Sequence, residues 1–382
     1  VDLGAALDDE AVHAAQRERA VGLGVQHALG WMLDGLQQGG DGATVTLRST
    51  DGERSVTVDA AYVVGADGAH SRTRAAAGID LIESQPLARH YNLVVRIPDL
   101  REALGADPTR MNLIWTPDWH SISHTIGDDV DVWRHLIGPF PADHQLSDAE
   151  AADLMRRFVG VEPGGGVEVE VLQTSSFPIQ ERIAERYASG RVVLAGDAAH
   201  LFPPYMGQNM NTGIGDVTNL GWKLAALLQG WGSDALLPSY SAERRAIARR
   251  TAASSVAAWR TMLEGQAIIR DEGMPPAGST DAQRRRLADR LSAVTAIEWN
   301  TEGVLLDQRH EGSPIDVDDD APAIAWEHTA YRAQAKPGHR LPHARRGDGR
   351  SVREGMGAGF VLLDLAADPE AVRRAVRGAA DA

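Results

Sequence analysis

Two strand ends of one kind stand 130 positions apart in this 382-residue sequence. Val63-Val64 runs into Gly65-Ala66-Asp67-Gly68, and Val192-Val193-Leu194-Ala195 runs into Gly196-Asp197. An aspartate at the carboxyl end of a strand lies where open α/β sheets bind ligands. Glycine there lets the backbone come close to a phosphate-bearing group. Taken alone, the first segment reads equally well as a Gly-Asp-Gly turn without function. The Asp197 carboxylate can accept hydrogen bonds from a sugar-like hydroxyl pair, or it can simply cap a helix. Beyond His200, the loop Phe202-Pro203-Pro204-Tyr205-Met206-Gly207-Gln208-Asn209-Met210 delivers a helix predicted to start near Asn211. A helix N-terminus carries about half a positive charge and unpaired N–H groups. Aimed at a ring that becomes anionic on reduction, it would stabilise the reduced form.

A third candidate is His120-Ser121-Ile122-Ser123-His124, whose alternation places both histidines on one face of a strand. Orientation or deprotonation of a phenol is the chemistry they suit. A metal site would need a third ligand of suitable geometry, and none is evident, so no metal is expected. Trp115, Trp119 and Trp133 line a pocket or fill a core, and the sequence does not choose between the two. Asp316 to Asp320 reads as a solvated loop rather than a calcium site.

The elements that must hold these residues follow from periodicity and punctuation. A helix is predicted over 9–23, ended by Gly24. A hairpin around Asp51-Gly52 joins Thr44–Leu47 to Val56–Val58. Ala61–Val64 is a buried-type strand, and a short helix can start at Ser71. From 86 to 175, strand-like pieces recur at Tyr91–Ile97, Asn112–Trp115, His120–Ile126, Val132–Ile137 and Val167–Leu172, which predicts a mostly antiparallel sheet. A buried strand returns at Arg191–Ala195. Helices are expected over Asn211–Gln229, from Pro238 through Met262, and within the charged stretch 270–300. A strand at Phe360–Leu365 and a helix over 369–377 close the chain.

Composition narrows the class. Hydrophobic residues make up 43% and charged residues 24%, an ordinary globular balance that argues against disorder. The net charge of −15 disfavours a nucleic-acid-binding face. No cysteine is present, which removes disulfides, thiolate metal sites and cysteine nucleophiles. No apolar run is long enough for a membrane span. The opening residues lack the pattern of a secretory leader, so the cytoplasm is the expected location.

The two Gly-Asp segments resemble the second and third fingerprints of the FAD-dependent aromatic hydroxylases, the group typified by p-hydroxybenzoate and phenol hydroxylases. Asn219-Leu220-Gly221-Trp222-Lys223-Leu224, Leu237-Pro238-Ser239-Tyr240 and Glu243-Arg244-Arg245 extend the resemblance. Ala335–His343 and Gly357–Leu363 resemble the start of the thioredoxin-like tail of the polyketide and phenol branch. The resemblance implies an α/β fold. A Rossmann-like FAD-binding domain (1–85 and 181–265) would carry an inserted, mostly antiparallel substrate sheet (86–180). A helical segment and linker (266–327) and the truncated start of a thioredoxin-like domain (328–382) would follow.

It also implies roles. Gly65, Asp67, Gly68 and Arg74 would serve the flavin diphosphate and the nicotinamide cofactor, with Arg72 assisting. Gly196 and Asp197 would hold the ribityl chain. Pro203, Pro204, Gly207, Gln208, Asn209, Asn211 and Thr212 would wrap the isoalloxazine edge. His200 would support the site structurally. His120, His124, Trp133 and Tyr205 are the substrate-pocket candidates.

The implied activity is hydroxylation of a phenolic or polycyclic, polyketide-type ring by FAD, NADPH (or NADH) and O₂ through a C4a-hydroperoxyflavin. The alternatives are a related flavoenzyme doing oxidative decarboxylation or ring opening, and a non-catalytic remnant that binds an aromatic ligand or a partner chain. Homodimer formation is left open. The sequence departs from the family at its start. Gly22-Leu23-Gly24-Val25-Gln26-His27 has two glycines of a Gly-x-Gly-x-x-Gly turn, lacks the third, and follows a helix rather than a strand. The first βαβ unit of the family is therefore expected to be absent. The chain would then be a piece, or an incomplete record, of a longer enzyme that binds FAD weakly or not at all on its own.

Overall fold

The computed structural model describes residues 9–98, 100, 111–126, 129–160, 166–275, 278–317, 319, 322, 324–357, 359–361, 370 and 374. Helix α1 (Asp9–Gly22) ends as expected, with Gly24 at φ +88°. Strands β1 (Trp31–Gln38), β2 (Ala43–Ser49) and β3 (Ser55–Ala60) form an antiparallel sheet in that order. The β2–β3 hairpin is the predicted one. β1 was not anticipated, because a bulge between Leu33 and Gly35 breaks its alternation.

Strand β4 (Val63–Gly65) leads to α2 (Arg72–Ala76), with Ser71 as its N-cap. Strand β5 (Leu81–Glu83) then opens the way to a five-stranded antiparallel sheet. Its members are β6 (Ala88–Arg96), β7 (Met111–Trp115), β8 (His120–Ile126), β9 (Asp129–Phe140) and β10 (Glu170–Ile179), in the order β10-β6-β9-β8-β7. β10 starts and ends later than the predicted Val167–Leu172. Helix α3 (Asp148–Phe158) interrupts what was read as strands alone. Its signature is Ser147-x-x-Glu150, with the Ser147 side chain accepting the Glu150 N–H.

The chain returns through β11 (Arg182–Ala184), β12 (Ala188–Ser189), β13 (Val192–Leu194) and β14 (His200–Leu201). β11 lies between β14 and β5, pairing Ile183 with Ile82. β13 runs parallel to β4, pairing Val193 with Val64 and Leu194 with Gly65. The two Gly-Asp segments are thus extensions of neighbouring strands. Helix α4 (Gln208–Leu228) begins three residues before the predicted Asn211. Helix α5 (Leu236–Glu272) is longer than predicted: its 37 residues span about 55 Å. The buried Lys223 ammonium donates to Glu243 and Ser239, both at 2.7 Å, and joins α4 to α5. Helices α6 (Asp281–Val294), α7 (Ala296–Trp299) and α8 (Glu302–Leu306) follow. Phe360 and Val361 are not in a strand. The rest of the predicted Phe360–Leu365 strand and most of the 369–377 helix lie outside the described residues. Among the described residues no helix is long and apolar enough to cross a membrane.

Period-two alternation divides the large sheet into two faces. Trp133 and Ile137 of β9 pack with Leu93, Val95 and Met155 against α3. The other face packs Ile122 with Tyr205, Trp259 and Met262, where the sheet meets the 202–210 loop and α5. Trp133 is fully buried on the α3 side. It is a core residue, on the sheet face away from the 202–210 loop. Trp133→Ala should therefore cost about 3–5 kcal/mol of stability in urea unfolding, while ligand affinity of the folded fraction stays near wild type.

Candidate functional site

At the β4 tip the Asp67 carboxylate is turned inward. It accepts from the Ser71 hydroxyl, and from the Thr73 N–H and hydroxyl at 2.9 Å each. Burial acts to raise its pKa, but these bonds prevail and hold it below the usual carboxylate value. A Cβ on Gly65 would meet Thr73 at 2.8 Å and Leu194 at 3.0 Å, so glycine is what lets α2 close on both strands. Arg74 donates to the carbonyls of Ala69 and Ala198 and fastens one Gly-Asp loop to the other. Arg72 donates to the Leu33 carbonyl. These side chains build the strand tips rather than face a ligand.

The second tip is fixed by a buried carboxylate. Asp216, in the third turn of α4, accepts from the Gly196 N–H at 3.0 Å and from His200 Nε2 at 2.7 Å. Its other oxygen accepts from Arg244 Nε of α5 at 2.8 Å. Arg244 also donates to the Thr212 carbonyl at 3.0 Å. Burial would raise the Asp216 pKa, yet the bonds and charges of His200 and Arg244 outweigh it and lower the value. His200 is fully buried and stacks on Phe202, with ring centroids 5.1 Å apart. With Gly196 thus pinned, the Asp197 carboxylate makes no side-chain hydrogen bond among the described residues. Burial raises its pKa, and His200 opposes the shift.

The loop that follows is tightly turned. Met206 adopts φ +64°, a conformation costing an L-residue about 1–2 kcal/mol. Its N–H is held by Glu298 Oε1 at 2.8 Å. Gly207, at φ +62°, sits at the N-cap of α4 with no side-chain cap, so the first N–H groups of the helix have no side-chain acceptor there. The Gln208, Asn211 and Thr212 side chains donate to the carbonyls of Met206, Gly207 and Gln208, so their side-chain donors are turned back onto the loop and the first turn of the helix.

A cleft of about 890 Å³ opens beside this loop. One wall is Ala69, His70, Asp197, Pro204, Gly207 and Asn209. The opposite wall is Ile122, His124, Arg134, Leu136 and Phe177 of the large sheet, and Glu298 and Trp299 of α7 close one side. Of the predicted ligand residues, the wall therefore holds Asp197, Pro204, Gly207, Asn209 and His124. Gly65, Gly68, Gly196 and the other predicted side chains described above do not line it.

His120 and Tyr205 are also absent from the wall and stand in one chain of hydrogen bonds. Gln266 Nε2 donates to the Pro117 carbonyl, so its Oε1 accepts from His120 Nδ1 at 3.3 Å. His120 Nε2 then accepts the Tyr205 hydroxyl at 2.9 Å, and that oxygen accepts His90 Nε2 at 3.0 Å. Burial lowers the pKa to about 4 for His120. For His90, burial and then the neighbouring His120 lower it to about 3, so both rings stay neutral. This network ties the loop to the sheet.

Residues 10–255, 246 of the 382, match the family described as an FAD binding domain. Over 224 residues the chain is 38% identical to a 3-(3-hydroxyphenyl)propionate/3-hydroxycinnamic acid hydroxylase of Mycolicibacterium smegmatis, covering 58% of this chain and 37% of that one. The chain belongs to the FAD-dependent aromatic hydroxylase family. Within the family it is 34% identical to a dialkyldecalin synthase of Streptomyces rugosporus, covering 85% of this chain and 70% of that one. It also superposes on RebC with bound 7-carboxy-K252c at TM-score 0.74 and 30% identity, covering 92% of this chain and 64% of that one. The chain thus spans 37% to 70% of the length of these three proteins.

The cleft residues fit the flavin end of FAD. Asp197 offers a carboxylate without a side-chain partner, α4 offers an uncapped N-terminus, and Asn209 Oδ1 is buried with no partner in the cleft wall. Asn211 and Thr212 were expected to supply the helix-start N–H groups, but the start at Gln208 moves that role three residues earlier. Phe177, Arg134 and Glu298 were missed. Glu298 had one signal, a lone acid inside the otherwise apolar turn Ala296-Ile297-Glu298-Trp299.

Breaking the Asp216 cluster tests whether it holds the tip. Asp216→Asn should destabilise the chain by about 3–5 kcal/mol in urea unfolding at neutral pH. The wild-type contribution of Asp216 is present above the ordinary aspartate pKa and lost as pH falls through the lowered value. The variant should lack that acid-side loss.

Proposed function

We propose that this chain forms the catalytic cleft of an FAD- and NAD(P)H-dependent monooxygenase acting on an aromatic or polyketide-type ring. The observation that carries the reading is the arrangement of one cleft, with the Asp197 tip and uncapped α4 on one wall and an apolar sheet face on the other. Bound FAD, reduced by NAD(P)H, would activate O₂ so that one oxygen atom passes to an electron-rich ring and the other leaves as water. Asp197 accepts hydrogen bonds from the ribityl hydroxyls. The α4 N-terminus stabilises negative charge on the reduced ring system. Ile122, Leu136 and Phe177 exclude water from the ring's side, and His124 and Arg134 orient its polar substituents. On this reading residues 86–180 are the substrate-binding unit. The hydroxylation named for the Mycolicibacterium relative supports this chemistry. The Streptomyces rugosporus relative is named for a synthase and not a hydroxylase reaction, which favours a second reading, a flavin-binding protein whose reaction is not a hydroxylation.

The test is uptake of FAD by the purified chain, followed by quenching of flavin fluorescence. Saturable but weak quenching is expected. Asp197→Ala should weaken it by about tenfold, the worth of a charge-assisted hydrogen bond. A chain that quenches no flavin overturns the proposal and leaves a non-catalytic ligand-binding role. With NADPH and labelled O₂, label in the product separates hydroxylation from oxidation without it.

A further inference from the structure

We infer that Glu298 is the cleft's proton-bearing donor: one oxygen of its neutral carboxyl group fixes the 202–210 loop, and the other orients an oxygen atom of the bound ring. The inference rests on the reading of the cleft as an aromatic-substrate site, and it narrows that class to rings carrying a carbonyl or hydroxyl oxygen opposite α7.

Glu298 Oε1 accepts the Met206 N–H at 2.8 Å, where the loop holds its unusual backbone conformation. Oε2 is buried and has no hydrogen-bond partner. The residue is 9% exposed, and with Trp299 and Thr301 it forms part of the cleft wall. Among the described residues Glu298 makes no ion pair, although α5, α6 and the loop all pack against α7. An ionised carboxylate there would lack both solvent and a countercharge, so the neutral acid is favoured. Burial pushes its pKa up to about 7, against the opposing pull of the Met206 N–H. With Oε1 accepting, the proton resides on Oε2, and an O–H in that position needs an acceptor. The protein provides none, and an oxygen on a ring in the cleft would.

Other titratable or charged groups share the surroundings. Tyr205 faces Glu298 from the loop, and His70, His124, Arg134, Arg182 and Asp197 line the same cleft. A pH effect is therefore assigned to Glu298 only through its substitution. Glu298→Gln keeps an acceptor for Met206 and a donor for the ring but cannot titrate.

Two measurements on the full chain without added flavin test this. In infrared difference spectra, a protonated-carboxyl band should be present at about pH 6, be lost by about pH 8, and be absent in Glu298→Gln. Affinity for 7-methoxycoumarin, whose oxygens only accept, read from its own fluorescence, should fall about tenfold over that range in the wild type and stay flat in Glu298→Gln. No band in the wild type, or a pH step that persists in Glu298→Gln, overturns the inference. The flavin-uptake experiment separates the two readings. Uptake of FAD without the carboxyl band sinks only the role of Glu298. The band and the coumarin step without flavin uptake sink only the flavoenzyme reading.

Discussion

A single buried carboxylate organises this molecule. Asp216 sits on one helix, receives the N–H of a strand tip, the ring of His200 and the guanidinium of a second helix, and is shielded from water throughout. A buried charge of this kind is tolerated only when its lone pairs are filled, and losing one partner leaves the rest exposed to a large desolvation cost. The strand tip, α4 and α5 therefore cannot drift independently. Asp197 is accurately placed because its neighbour Gly196 is held at the backbone, where no side-chain rotation can loosen it.

The two Gly-Asp segments look alike in sequence but divide the labour. At the first, the carboxylate is consumed by its own turn, and Arg74 reaches across to brace the second. At the second, the carboxylate is left without a side-chain partner, because Asp216 has taken over the structural bonding. One tip is scaffold and the other faces the cleft. Burial raises the pKa of Asp197, whereas the hydrogen bonds within its turn lower that of Asp67.

Local pattern made much of this readable. The strand ends, the Ser71 cap and the starts of the long helices follow from short-range chemistry, so they could be placed to within a few residues, whereas α5 runs ten residues past the expected Met262. The alternation around His120 and Trp133 assigned residues to faces but could not say which face meets the loop and which meets α3. That choice belongs to packing, and it made Trp133 core while leaving His124 in the cleft. β1 escaped notice because its bulge hides the period of two. Glu298 escaped because its meaning depends on Met206, 92 positions earlier in the chain. No window of sequence contains both.

The narrow pairing of β5 with β11 bears on how such a molecule diversifies. Everything between Ser84 and Glu181 departs and returns at adjacent rungs of one ladder, secured by Arg182 and Glu83. Closing an excursion costs only logarithmically more as it lengthens. The sheet beyond that neck can be enlarged, trimmed or exchanged wholesale while the ladder rungs stay put, leaving the paired strands that carry the Gly-Asp tips undisturbed.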